Sequence, residues 1–151
     1  MSADLSALDA LIARSVRSAG PAAADSLAYP ERQMTGAELI EFVKTARLIA
    51  MATVGAKGQP HVAPVHAELD GTTLRLVVYE NTTRRADIRT NPQVAFTTWK
   101  DGAAAILYGR AREVPGSLRE ARAGRSGEPR RVVTLEVALT RVYAMRPPDR
   151  T

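Results

Sequence analysis

The spacing of apolar residues changes near residue 47. Before it, Leu5, Leu8, Ile12 and Val16 recur at three- and four-residue steps, one face of a helix over residues 4–18. Gly20-Pro21-Ala22-Ala23-Ala24 interrupts that stripe and Tyr29-Pro30 marks an extended stretch, so residues 20–33 read as a surface connection. Thr35-Gly36-Ala37-Glu38 has the form of a capping box. Leu39, Ile40, Val43 and Ala46 follow on one stripe, which predicts a second helix.

From Arg47 onward the pattern is that of strands. Residues 47–54 form an apolar run closed by Gly55-Ala56-Lys57-Gly58. Residues 59–69 return as a second strand and end at Asp70-Gly71, a hairpin signal, and residues 74–79 make a third. Residues 81–91 read as a short helix, with Asn81 or Thr82 as cap and Asn91-Pro92 as stop. Residues 94–99 and 104–114 flank Lys100-Asp101-Gly102 as another hairpin. Pro115-Gly116-Ser117 then introduces a helical turn to about residue 123, residues 124–129 are loop, and residues 131–145 form a long closing strand. About six strands with one short helix after the third predict a mainly β fold whose sheet closes on itself, because closure pairs edges that an open sheet leaves exposed. Residues 1–34 read as a helix with its linker and residues 35–151 as the barrel domain.

Composition narrows the function. A chain of 151 residues, 45% hydrophobic, supports one domain with a real core. It has no cysteine, which removes disulfides, thiolate nucleophiles and Cys-based metal sites, and leaves His61 and His66 as the only imidazoles. Net charge is +5, and 18 of the 21 cations are arginine. Residues 1–45 carry six acids and four bases, so residues 46–151 hold +7. No apolar run approaches the roughly 18 residues of a membrane span. Asp4 and Asp9 lie where a signal peptide would need a basic start, so a soluble cytoplasmic protein is expected. A high pI prompts nucleic acid, but only 5% of residues are aromatic and several fall in predicted strands, so no nucleic-acid partner is expected.

There is no glycine-rich dinucleotide or P-loop signature, no nucleophile elbow and no His-Glu-x-x-His. Strand alternation sets His66 and Glu68 on one face and His61 on the other, so these do not converge on a metal, and each histidine reads as a satisfied strand side chain. The positive signal is Asn81-Thr82-Thr83-Arg84-Arg85 at a strand-to-helix junction, where helix-start amides, hydroxyls and guanidinium groups can converge on a phosphate. The other reading is an ordinary capped helix with solvated arginines. A second cluster, Arg119, Arg122, Arg125, Arg130 and Arg131, is diluted by Glu120 and Glu128 and reads as a solvated loop and helix face, with an anionic tail as the alternative. Trp99 reads as a core or dimer-interface plug ahead of a ring-stacking role.

Residues 51–65 (MATVGAKGQPHVAPV) resemble the first hairpin of the pyridoxamine 5′-phosphate oxidase-like family. Asp70-Gly71-Thr72-Thr73-Leu74-Arg75-Leu76, Thr82-Thr83-Arg84 four residues before Ile88, and the closing Asn91-Pro92 follow in that family's order. Residues 94–99, Gly109-Arg110-Ala111 and Arg141-Val142-Tyr143 are similar to its later strands, so the resemblance runs over about residues 35–147. It implies a six-stranded split β-barrel that forms a homodimer and holds a flavin-type cofactor between subunits. Thr82, Thr83 and Arg84, with Arg85 beside them, would hold the cofactor phosphate. Val62, Ala63, Pro64, Val65, Val77 and Val78 would line the ring, mostly through backbone. The cofactor then performs the hydride chemistry, so a missing catalytic acid or base does not count against an oxidoreductase acting on a small organic molecule. Where pyridoxamine-phosphate oxidases carry an Arg and a Lys on the second strand, this chain has Ala63 and Glu68, and no terminal Trp and Arg signature follows Arg141. That argues against pyridoxamine phosphate as substrate. The Val-x-Pro-Val form of residues 62–65 is closer to the branch that uses FMN, the deazaflavin coenzyme F-420 or heme. A non-catalytic flavin or heme carrier, with His61 or His66 as axial ligand, is the alternative.

Overall fold

The computed structural model describes residues 2–27, 29–122 and 127–148. Helix α1 (Ser2–Arg17) is followed by α2 (Pro21–Leu27), a 3-10 turn at Pro30–Arg32, and α3 (Gly36–Ala46). Strands β1 (Ile49–Val54), β2 (Pro60–Val65), β3 (Glu68–Asp70) and β4 (Thr73–Tyr79) precede α4 (Thr83–Thr90). After it come β5 (Gln93–Lys100), β6 (Ala103–Glu113), β7 (Arg119–Arg122) and β8 (Pro129–Met145).

All strand pairs are antiparallel, in the order β2-β1-β5-β6-β8-β4-β3, with β7 paired to β8. Laid flat, seven strands would separate β2 from β3 by about 29 Å at the usual interstrand spacing. Only His66 and Ala67 join them, and three Cα steps reach about 11 Å at most. The sheet must therefore curl until its ends meet. Among the described residues β2 pairs only with β1, and β3 only with β4, which leaves the barrel split at this seam. Counted with β2 and β3 as one bent strand, the barrel has six strands, and β7 is a flap on β8.

Three details differ from the sequence expectation. The predicted strand over residues 59–69 breaks at His66-Ala67 because the chain must turn there to cross the seam. Residues 20–33 are not plain connection: Pro21 opens a short helix, as suits a residue that needs no amide donor in the first turn. The predicted helical turn after Ser117 is instead strand β7, held in register against Val132, Arg131, Arg130 and Pro129. Residues 123–126, within the predicted turn and loop, lie outside the described residues.

One hydrophobic core fills the barrel and continues under the helices. Met51, Leu74, Phe96, Leu107, Leu135 and Val142 share it with Leu8 and Leu11 of α1 and Leu39 of α3. On β8 the inward residues step by two through Val133, Leu135, Val137 and Leu139, then resume at Val142. The phase slip is a bulge: Tyr108 opposes Arg141 while Gly109 opposes Leu139. Just past it the Val142 amide donates to Ser15 Oγ of α1 (2.9 Å), fastening that helix to the barrel. The capping box of α3 forms as predicted, with Glu38 N to Thr35 Oγ1 and Thr35 N to Glu38 Oε1 both at 3.1 Å.

Candidate cofactor and ligand site

Helix α4 starts where the sequence placed it. Thr82 is the N-cap, its Oγ1 accepting from the Arg85 amide at 3.4 Å, and Asn91 closes the helix with its amide on the Asp87 carbonyl. The two arginines that follow the cap have different surroundings. Arg85 donates through Nε to Glu113 Oε1 (2.6 Å), through Nη2 to Glu113 Oε2 (3.3 Å) and through Nη1 to the Glu80 carbonyl (3.0 Å). Its guanidinium is thus committed to β6, and hydrogen bonding to Arg85 holds the Glu113 carboxyl below its ordinary range despite partial burial. Arg84 has no such partner. Its Nε is buried and lacks a hydrogen bond among the described residues.

The arginine cluster of β7 and β8 lies beside this junction. Arg131 Nε reaches Glu80 Oε2 at 3.1 Å, and Arg130 sits 4.9 Å from the Tyr79 ring centre. These side chains are exposed as expected, but they stand on strands and not on a helix, and Arg131 is tied to the turn that precedes α4. Arg125 lies outside the described residues.

The six predicted ring-facing positions divide between two faces. Val62 (74% exposed) and Val77 (49%) point outward, while Val65 and Val78 are buried in the core and offer backbone alone. Pro64 is exposed and Ala63 half-buried. Trp99 is not a core residue: it is 70% exposed at the end of β5.

A second constellation joins α4 to the β1–β2 hairpin. Asp87 Oδ2 accepts from Thr53 Oγ1 and from His61 Nδ1, each at 2.7 Å. Asp87 and Thr53 are buried, and the His61 side chain is 39% exposed. Burial opposes ionisation of Asp87, but the bonds from Thr53 and His61 outweigh it and lower its pKa. With Nδ1 occupied by the carboxylate, Nε2 is the nitrogen left for anything outside. Sequence periodicity could not pair His61 with a residue on another element. An acid beside the buried Ile88 on a short helix was the available signal.

A cleft of about 690 Å³ opens at the seam between α3, β3 and β4. Val43, Leu69, Leu76 and Val77 supply apolar lining, with Lys44, Arg47 and Arg75 around it and Glu68 as its carboxylate. His66 Nδ1 bonds the Arg47 carbonyl at 2.9 Å.

Residues 35–146 match the family model described as pyridoxamine 5′-phosphate oxidase. The chain belongs to this family. Solved structures with the same fold include a conserved hypothetical protein from Mycobacterium tuberculosis, with TM-score 0.64, 19% identity, and 82% of this chain and 94% of that one covered. An F-420 reductase matches with TM-score 0.53 and 22% identity over 64% of this chain and 89% of that one. The heme storage protein HutZ from Vibrio cholerae matches with TM-score 0.56 and 13% identity over 72% and 93%. At these identities the likeness is one of fold. No curated protein matches the chain. The family model begins at the Thr35 cap of α3 and ends one residue past β8, so α1 and α2 lie outside the matched part of this pyridoxamine 5′-phosphate oxidase family member.

Proposed function

We propose that the chain is an oxidoreductase that binds FMN, or the deazaflavin coenzyme F-420, in a groove between two copies and passes hydride to or from a small organic molecule. The observation that carries this reading is Arg84, whose buried Nε has no partner among the described residues at the start of a capped helix. A buried guanidinium N–H without an acceptor is costly, and a bound phosphate oxygen would satisfy it. Thr82 and Thr83 stand beside it, while the Arg85 guanidinium is neutralised by Glu113. The bound cofactor supplies the hydride chemistry. The residues proposed to position its ring are Val62 to Val65 and Val77-Val78. Exposed Val62, Val77, Trp99 and Tyr108 are the apolar surface that a second copy would cover. The proposed site falls within residues 35–151, and α1 packs against β8 and α3.

Fluorescence titration of the full chain with FMN and with F-420 tests this. Arg84→Ala is expected to weaken binding by about 1.5–3 kcal/mol, roughly 10- to 150-fold, with the fold intact. Absence of binding to both coenzymes would end the proposal.

One observation favours a second reading, a heme carrier. An imidazole whose Nδ1 is bonded to a buried carboxylate presents Nε2 as an oriented ligand, and His61 has this arrangement. Hemin titration would then give a Soret band that His61→Ala removes and His66→Ala retains.

A further inference from the structure

We propose that the cleft between α3, β3 and β4 is the pocket for the organic reactant, and that it takes a small apolar carboxylate. This deepens the oxidoreductase reading and names its substrate class, while the binding event itself stands apart from the cofactor.

Size, lining and charge each contribute to the argument. At about 690 Å³ the cleft has the volume of a small-molecule site. Val77 on β4 offers its exposed side chain, and the buried Val43 on α3, Leu69 on β3 and Leu76 on β4 lie beneath the cleft, which suits a hydrocarbon or aromatic body. Its charged lining is Lys44, Arg47 and Arg75 against Glu68, a net of +2. Arg75 reaches Glu136 only at 3.9 Å, an acid that Arg112 shares at 3.7 Å. Neither Lys44 nor Arg47 has an ion pair among the described residues. The C-terminal end of α3 itself repels an anion, so any anion selectivity must come from these side chains.

Arg47 gives the strongest indication. It follows the last residue of α3 at the centre of a γ-turn, with φ 65° and ψ −49° and the Leu48 amide on the Ala46 carbonyl at 2.7 Å, a positive-φ backbone that arginine adopts only with strain. His66 closes over its carbonyl from across the seam, which fixes this conformation at the cleft wall. A strained arginine where glycine is the relaxed choice argues for a use of its side chain. Val77, which lines the cleft, is also among the residues proposed to face the cofactor ring, so a ligand here would lie against the ring's edge.

The test is calorimetric titration of the full chain with 2-naphthoate and with its neutral isostere 2-naphthamide. Naphthoate should bind at least tenfold more tightly than the amide. Arg47→Gly should lose at least tenfold of the naphthoate affinity while unfolding at the same temperature or higher. If Arg47→Gly folds poorly, Lys44→Gln carries the same test, with a several-fold loss expected. Arg84→Ala should bind naphthoate as the unmodified chain does. Equal binding of acid and amide, or full affinity in Arg47→Gly and Lys44→Gln, would overturn the anion assignment. Competition between naphthoate and FMN or F-420 would place the cleft inside the cofactor site and overturn the pocket. Coenzyme binding without naphthoate binding refutes this proposal alone. Naphthoate binding without coenzyme binding refutes the oxidoreductase reading and leaves the pocket standing.

Discussion

Removing the Asp87 carboxylate should cost the protein a substantial part of its stability. Asp87 Oδ2 is the shared acceptor of Thr53 Oγ1 and His61 Nδ1, and it is the only side-chain link between the middle of α4 and the β1–β2 hairpin among the described residues. In Asp87→Ala the Thr53 hydroxyl, 1% exposed, is left without its acceptor, a loss of about 1–3 kcal/mol. The bond to half-exposed His61 adds less, because water can replace it, and relief of the buried charge offsets part of the total. A net loss of about 2 kcal/mol follows, or a fall of roughly 4–8 °C in Tm for a chain of this length. Asp87→Asn keeps an acceptor oxygen and should lose about half as much. Urea unfolding of the three proteins measures this. A loss under about 1 kcal/mol for Asp87→Ala would refute the strut. The pH dependence has a definite sign. The folded-state pKa of Asp87 is lowered, so its stabilisation is complete above the unfolded value of about 3.9 and disappears as pH falls through the folded value. The gap between wild type and Asp87→Asn should therefore be flat near neutrality and narrow only in acid.

Other perturbations test other parts of the structure. Gly109→Ala would set a Cβ 2.6 Å from the Ala138 carbonyl and 2.6 Å from Val137 Cγ1 at the bulge. It should destabilise by about 3 kcal/mol in chemical denaturation. Ser15→Ala removes the acceptor of the Val142 amide; a loss of about 1–3 kcal/mol and faster exchange of that amide are expected. Arg85→Ala leaves Glu113 with Arg89 alone at 3.6 Å, so its unfolding midpoint should drop, while Arg84→Ala removes an unsatisfied buried donor and should keep or raise the midpoint. The Glu113 contribution, like that of Asp87, should be lost only as pH falls below the ordinary carboxylate range, because its folded pKa is lowered.

The legibility of each feature followed the range of the interactions that make it. The α3 capping box and the α4 cap are local bonds three residues apart, and both were readable from Thr35, Glu38 and Thr82. The phase slip between Leu139 and Val142 was also present in the sequence, as two inward positions three apart, though its meaning as a bulge needs the partner strand. The β7 strand was misread because Ser117 to Arg122 has no apolar alternation. It becomes a strand through its ladder to Pro129–Val132, which is a long-range fact.

At the site, sequence picked out the Thr82–Arg84 segment but treated two adjacent arginines alike. Only the fold separates them, since it brings Glu113 from β6 to Arg85 and leaves Arg84 Nε without a partner among the described residues. The same holds for His61, whose carboxylate is 26 residues away on another element, and for the cleft, whose Lys44, Arg47 and Arg75 come from α3, its end, and β4. Periodicity, caps and turn residues act over a few positions, so the sequence by itself determined most of the elements, the mainly β class and the absence of cysteine chemistry. Which charges are neutralised and which remain available was decided by barrel closure, because that depends on side chains brought together from distant strands.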